Sequence, residues 1–139
     1  MALDIQQKTN ILDFAVKFSA VAKKQGWVSH YDTDTDSMAI RSPELSSGAQ
    51  KKYLNDEFAF YLNHKNEVQG VFIEYFMSNF VAHHEDMKDV KKEITKEIKE
   101  RKDDKESKAS AVIQLELKET TKMIPELQNL LIDSLVPVV

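Results

Sequence analysis

The sequence predicts an α+β protein: an N-terminal helix packed on an antiparallel sheet of about four strands in two hairpins, followed by a charged C-terminal helical tail. Three shifts of rhythm carry this reading. Apolar residues recur every three or four positions near the N-terminus, alternate at period two through the middle, and return to three-and-four spacing from Phe80 onward. Three glycines and three prolines in 139 residues are too few for a turn-rich β-sandwich.

The first helix spans residues 3–25. Ile11, Leu12, Ala15, Phe18 and Ala22 make its apolar face, and Phe14, Val16 and Val21 widen it enough to cover a sheet. Lys23 and Lys24 suit the negative end of the helix dipole, and Gly26 fits the left-handed position beyond it. The first hairpin follows. Trp27, Ser29 and Tyr31 share one face of the outgoing strand, and Met38 and Ile40 one face of the return. Asp32-Thr33-Asp34-Thr35-Asp36 between them is turn chemistry, since these side chains bond nearby amides. Pro43 ends the return strand, and residues 44–55 read as a loop or one short helical turn. In the second hairpin, residues 57–75, Phe58, Phe60 and Leu62 alternate with Glu57, Ala59 and Tyr61. Asn63-His64-Lys65-Asn66 turns the chain, and Val71, Ile73 and Tyr75 line one face of the return strand. Both faces of this hairpin carry bulk. One is expected to receive the first helix, the other a later helix or a second subunit.

From Ser78 the pattern is helical. Phe80, Met87, Val90, Ile94 and Ile98 trace a narrow apolar stripe, while residues 88–108 hold 9 basic and 7 acidic groups. A stripe this thin resembles a coiled-coil seam, so these five residues are the expected association surface. Its partner is a second copy, giving a homodimer, or the terminal segment 124–135 folding back; the dimer is preferred. Residues 103–108 lack apolar content and are expected to break the helix. Ile113, Leu115 and Leu117 alternate as in a strand, yet residues 109–118 also fit a helix, which is preferred. Pro125 suits the first turn of a final helix whose apolar side is Ile124, Leu127, Leu130, Leu131 and Leu135. The organisation expected is an α+β core at 1–78 and a helical association tail at 79–139.

Composition bounds the chemistry. Nineteen basic against 23 acidic residues give a net charge of −4, spread evenly along the chain. No basic face is evident, so no nucleic-acid partner is expected, and a basic protein partner suits the balance better. Zero cysteines exclude disulfides and thiol chemistry. No run approaches the ~20 apolar residues of a membrane helix and no leader is visible, so a cytoplasmic location without membrane attachment is expected.

Candidate sites are few. Asp32, Asp34 and Asp36 open like an EF-hand calcium loop, but the loop's sixth position is Ser37 rather than Gly and its twelfth is Pro43 rather than Glu. They read as a structural turn. His83 and His84 are adjacent and project about 100° apart on a helix, which keeps them from sharing a metal. His30 and His64 fall on a strand and a turn. No G-x-S-x-G elbow and no glycine-rich phosphate loop is present. Trp27, Tyr31, Phe58, Phe60 and Phe72 lie on strands as RNA-stacking aromatics do, but without a basic surround they read as core. No catalytic residue, metal site or cofactor is expected. The chain reads as a non-enzymatic protein-interaction module, with a metal-dependent hydrolase at Asp32, Asp34, Asp36 and a histidine as the remote alternative.

Tyr31-Asp32, then Asp36, Met38, Ile40 and Arg41, with Glu67-Val68-Gln69-Gly70-Val71-Phe72-Ile73-Glu74 further on, resembles the core of a small prokaryotic family, domain of unknown function 2283. The resemblance covers about residues 27–76 and implies a small β-meander without known catalytic residues. Some members are thought to be antitoxins, which implies neutralisation of a basic partner. In architecture alone the chain is also similar to the dimeric chaperones of type III secretion effectors, which have no active site.

Overall fold

The computed structural model describes residues 3–103 and 112–135. Helix α1 (Ile5–Gln25) opens in a capping box. The Asp4 carboxylate accepts from the Gln7 amide at 2.7 Å, and the Gln7 side chain accepts from the Asp4 amide at 3.1 Å. It closes on Gly26 at φ 64°, the left-handed position its C-terminus demands. Strands β1 (Val28–Asp32), β2 (Ser37–Arg41), β3 (Gln50–Tyr53), β4 (Phe58–Leu62) and β5 (Val68–Ile73) follow. A π-turn at Phe76–Phe80, a short α2 (Val81–His83) and a 3-10 turn at Glu85–Met87 lead into α3 (Lys88–Asp103). Strand β6 (Val112–Gln114) and α4 (Leu117–Leu135) end the described chain.

All pairings are antiparallel, in the order β3-β4-β5-β2-β1-β6. Trp27, Tyr31, Met38, Ile40, Phe60 and Val71 from one face of the sheet join Phe14, Phe18, Phe80, Ile94 and Leu131 from the helices in a single buried cluster. Helix α4 lies beside α1. The Ser19 amide and hydroxyl both donate to Gln128 Oε1, at 2.9 and 2.6 Å. The buried hydroxyls of Ser29 on β1 and Thr120 on α4 bond each other, which fastens that helix to the sheet.

The α+β class and both hairpins stand as expected, with six strands where about four were expected. β3 lies inside the segment read as loop. Its exposed Gln50 and Lys51 pair with Leu62 and Tyr61, so hydrogen bonding rather than burial makes it a strand. β6 occupies a stretch preferred as helix: Ile113 is 1% exposed, and His30, Tyr31 and Asp32 of β1 hold the segment extended. The expected continuous helix from Ser78 is broken at His84, which is extended at φ −132°. Tyr75, expected beside Ile73 on a strand, sits past the end of β5 at φ 49° and is 59% exposed.

The boundary expected at 78/79 does not separate two units. β6 extends the sheet, α4 packs on α1, and the single core cluster draws on both segments. Of the five residues expected to form an association surface, Phe80, Met87, Val90 and Ile94 are buried in that cluster, and Ile98 packs against it half-buried. The chain covers its own stripe. Residues 104–108, read as a helix-breaking run, and 109–111 lie outside the described residues, and no helix of the described chain is long and apolar enough to cross a membrane.

Candidate interaction surface

The second face of the sheet is built by the same alternation that builds the core. Every strand residue next to a core residue points the other way. Register places these residues in three rows across the strands. The middle row runs Tyr53, Ala59, Phe72, Ala39, His30, Gln114. One outer row runs Lys51, Tyr61, Gly70, Arg41, Val28. The other holds Glu57 and Glu74, joined by an amide–carbonyl bond of 2.9 Å, then Ser37, Asp32 and Val112. None of these residues belongs to the core cluster. Tyr53 and Val112 are 42% and 37% exposed. The face that was expected to meet a later helix or a second subunit therefore carries no helix's apolar side among the described residues.

The face is aromatic, shallow and divided in charge. The Tyr61 and Phe72 rings meet edge to face at 6.2 Å, and Lys51 Nζ lies 3.9 Å from the Phe72 ring centre. The Tyr53 hydroxyl donates to Glu74 at 2.6 Å, and that bond, with some burial, pushes its pKa up to about 12. Burial raises Tyr61 against the opposing pull of Arg41. Burial first, then the Arg41 charge, lowers His30 below the ordinary histidine value, against a bond to Gln114 that works the other way. At neutral pH the charges on the face thus sit at its rims: Lys51 and Arg41 on one, Glu57, Glu74 and Asp32 on the other.

Gly70 is where the floor is tightest. A Cβ there would stand 2.8 Å from Tyr61 Cδ2, 3.0 Å from Arg41 Cβ and 3.3 Å from the Ile40 carbonyl. Gly70→Val is therefore expected to lower stability by about 1–3 kcal/mol, the usual cost of overpacking. Urea titration checks this, and an unchanged midpoint would show that Tyr61 swings aside freely.

The aspartate turn is a structural device. Asp32 Oδ1 accepts from the Asp34 amide at 2.9 Å, an Asx turn. Asp36, at φ 52°, reaches across the chain. Its Oδ1 accepts from the Tyr31 hydroxyl at 2.6 Å and the Met77 amide at 2.8 Å. Its Oδ2 accepts from the Ser78 amide at 3.1 Å and the Ser78 hydroxyl at 2.6 Å. It caps the π-turn from 40 residues away. His83 and His84 are also held locally, with Nδ1 of each bonded to the carbonyls of Asn79 and Phe80 at 2.7 and 2.6 Å. Among the described residues no group of three acidic or histidine side chains is placed to hold a metal. Of the five strand aromatics, Trp27, Tyr31, Phe58 and Phe60 are core and only Phe72 is on the open face.

Two features were hidden from sequence reasoning. Lys88, Lys91, Lys92, Lys96 and Lys99 line one flank of α3 along a groove formed with Thr95. At 100° per residue, Asp89, Glu93, Glu97 and Glu100 fall on the adjoining flank, so the even balance of the sequence conceals two charged sides. A cleft of about 380 Å³ also opens between α1 and α4, walled by Ala22, Trp27, Leu117, Ile124 and Pro125. Its lining suits an apolar group. Comparison with known proteins returns no match to any family model, curated protein or solved structure.

Proposed function

We propose that this protein is a non-enzymatic protein-interaction module and that it docks its partner on the open face of the sheet. The observation that carries this is the placement of Phe72, Tyr61, Tyr53, Val28 and Val112 on a face outside the core cluster. A sheet normally buries an apolar face against another layer, and the adjoining rings of Tyr53, Tyr61 and Phe72, which no helix covers among the described residues, fit an interaction site. The docking surface is thus moved from the stripe on α3, which the chain buries, to the reverse of the sheet. The acidic rim at Glu57, Glu74 and Asp32 supplies a counterpart for basic groups on whatever docks there.

A photo-crosslinking benzophenone residue in place of Tyr53 tests this in living cells. The same residue in place of Val16, 55% exposed on α1, is the control. Adducts to one defined protein are expected from position 53 and not from position 16. They are expected to vanish when Phe72→Asp is added. Equal adducts from both positions, or none from position 53, would remove the open face as the docking surface.

A further inference from the structure

We infer that the occupant of the open face is a second copy of this chain, packed sheet to sheet about a two-fold axis that runs along the middle row, across the strands. The inference rests on the preceding reading of that face as a docking surface and adds the partner and its orientation. Two sheets meeting face to face by two-fold symmetry must have the axis in the plane between them. The two directions that keep the strands of both sheets aligned are along the strands and across them. An axis along the strands sets each row against the same row of the partner, so the basic rim with Lys51 and Arg41 meets the partner's basic rim, and the acidic rim with Glu57 and Glu74 meets its acidic one. An axis across the strands exchanges the outer rows. Each basic rim then faces an acidic rim, twice over by symmetry, and like charges never stand opposite. Electrostatic complementarity of this kind sets register and excludes the alternative pairing.

The middle row fits the same arrangement. Phe72 lies between Ala39 and Ala59, with Gly70 in the next row, so one bulky ring projects from a shallow floor. Across the axis two such rings meet over four alanines. His30 lies in the middle row and so faces its own copy, and its neutrality at neutral pH spares the interface a like-charge pair. Aligned sheets in sandwiches pack about 10 Å apart with side chains interleaved, a spacing that long Lys51 and Arg41 side chains can bridge. Six strands at about 4.8 Å and three rows about 7 Å apart give roughly 500–600 Å² per copy. That is slightly below a standard interface of roughly 800 Å² per partner. The dimer is accordingly expected to dissociate at roughly micromolar concentration or above.

Sedimentation equilibrium on the full chain between about 1 and 500 μM decides, with circular dichroism confirming that each variant is folded. Wild type is expected to shift from monomer to dimer across this range. Phe72→Asp is expected to remain monomeric. Lys51→Glu with Arg41→Glu makes both rims acidic, and Glu57→Lys with Glu74→Lys makes both basic. Each double variant alone is expected to dimerise at least about tenfold more weakly than wild type, and an equimolar mixture to recover dimers. A monomer throughout in wild type would overturn the second copy as occupant, while adducts to a different protein from position 53 would still uphold the docking face. A dimer indifferent to Phe72→Asp and to both charge reversals would place the interface elsewhere and overturn both readings.

Discussion

Ile94→Asp is expected to destabilise the fold severely, not to separate two copies of it. Ile94 is fully buried on α3, within the cluster that also holds Met87, Val90, Ile113 and Met123. An aspartate there must either bury a charge or take up a proton far from its ordinary pKa, and both are unfavourable in an apolar setting. It also removes most of the isoleucine's packing. Together these cost about 4 kcal/mol or more, a large share of the about 5–15 kcal/mol that holds a domain of this size folded. Ile94→Val, which trims one methyl group and keeps the chemistry, is expected to cost about 0.5–1.5 kcal/mol. Urea denaturation followed by circular dichroism measures the two changes, and light scattering gives the mass. A folded Ile94→Asp variant with the wild-type midpoint but a smaller mass would mean that α3 is an association surface after all.

The contrast between α3 and the sheet explains what the sequence made legible. Periodicity reports which side of an element is apolar, and it does so well for α1, β1, β2, β4 and β5, whose residues in the core cluster repeat at about 3.6 or 2. It does not report what lies against that side. The stripe on α3 has the width of a seam because β6 and α4 return to the core beside it, a fact set by chain segments 20–40 residues further on. Strand β3 escaped notice because an edge strand with Gln50, Lys51 and Tyr53 exposed has no alternation to show; its lysines are the expected protection of an open edge. The open face was half legible. Its bulk was visible in Tyr61 and Phe72, but the separation of charge between rims exists only once register brings Lys51 and Arg41 into one row from strands that are not neighbours. The π-turn that precedes α2 was hidden for a similar reason, since the carboxylate that caps it comes from Asp36, about 40 residues earlier.

That cap is the second place where a single change is expected to matter most. Asp36→Ala leaves the Met77 and Ser78 amides and the Tyr31 hydroxyl without the carboxylate that accepts from them. It also forces a residue with a Cβ, but no compensating side-chain acceptor, to hold φ 52°. Caps are worth about 1 kcal/mol and hydrogen bonds to a charged group about 1.5–3 kcal/mol, and these contributions overlap, so the expected loss is about 2–4 kcal/mol. Asp36→Asn keeps an acceptor and a side chain suited to the left-handed region, and is expected to lose less. Asp34→Asn, in the same turn but away from the π-turn that Asp36 caps, is the control and should leave stability within about 0.5 kcal/mol. The pH dependence separates this account from a simple packing effect. Partial burial works to raise the Asp36 pKa, but the bonds from Ser78, Tyr31 and the Met77 amide outweigh it and hold the value below the ordinary carboxylate range. A carboxyl group depressed on folding stabilises the fold at every pH above its unfolded value of about 3.9, and that contribution disappears as pH falls through the folded value. Wild type and Asp36→Ala are therefore expected to differ by a constant amount from pH 5 to 8 and to draw closer as pH falls below about 4. At the alkaline end Tyr31 adds a second edge: burial, then the bond to Asp36, raises its pKa, so its contribution is complete below about pH 10 and fades above it. Urea midpoints from pH 3 to 8 test the acid limb. Parallel curves that never converge in acid would show that Asp36 acts by shape alone and that its charge contributes nothing to the turn it caps.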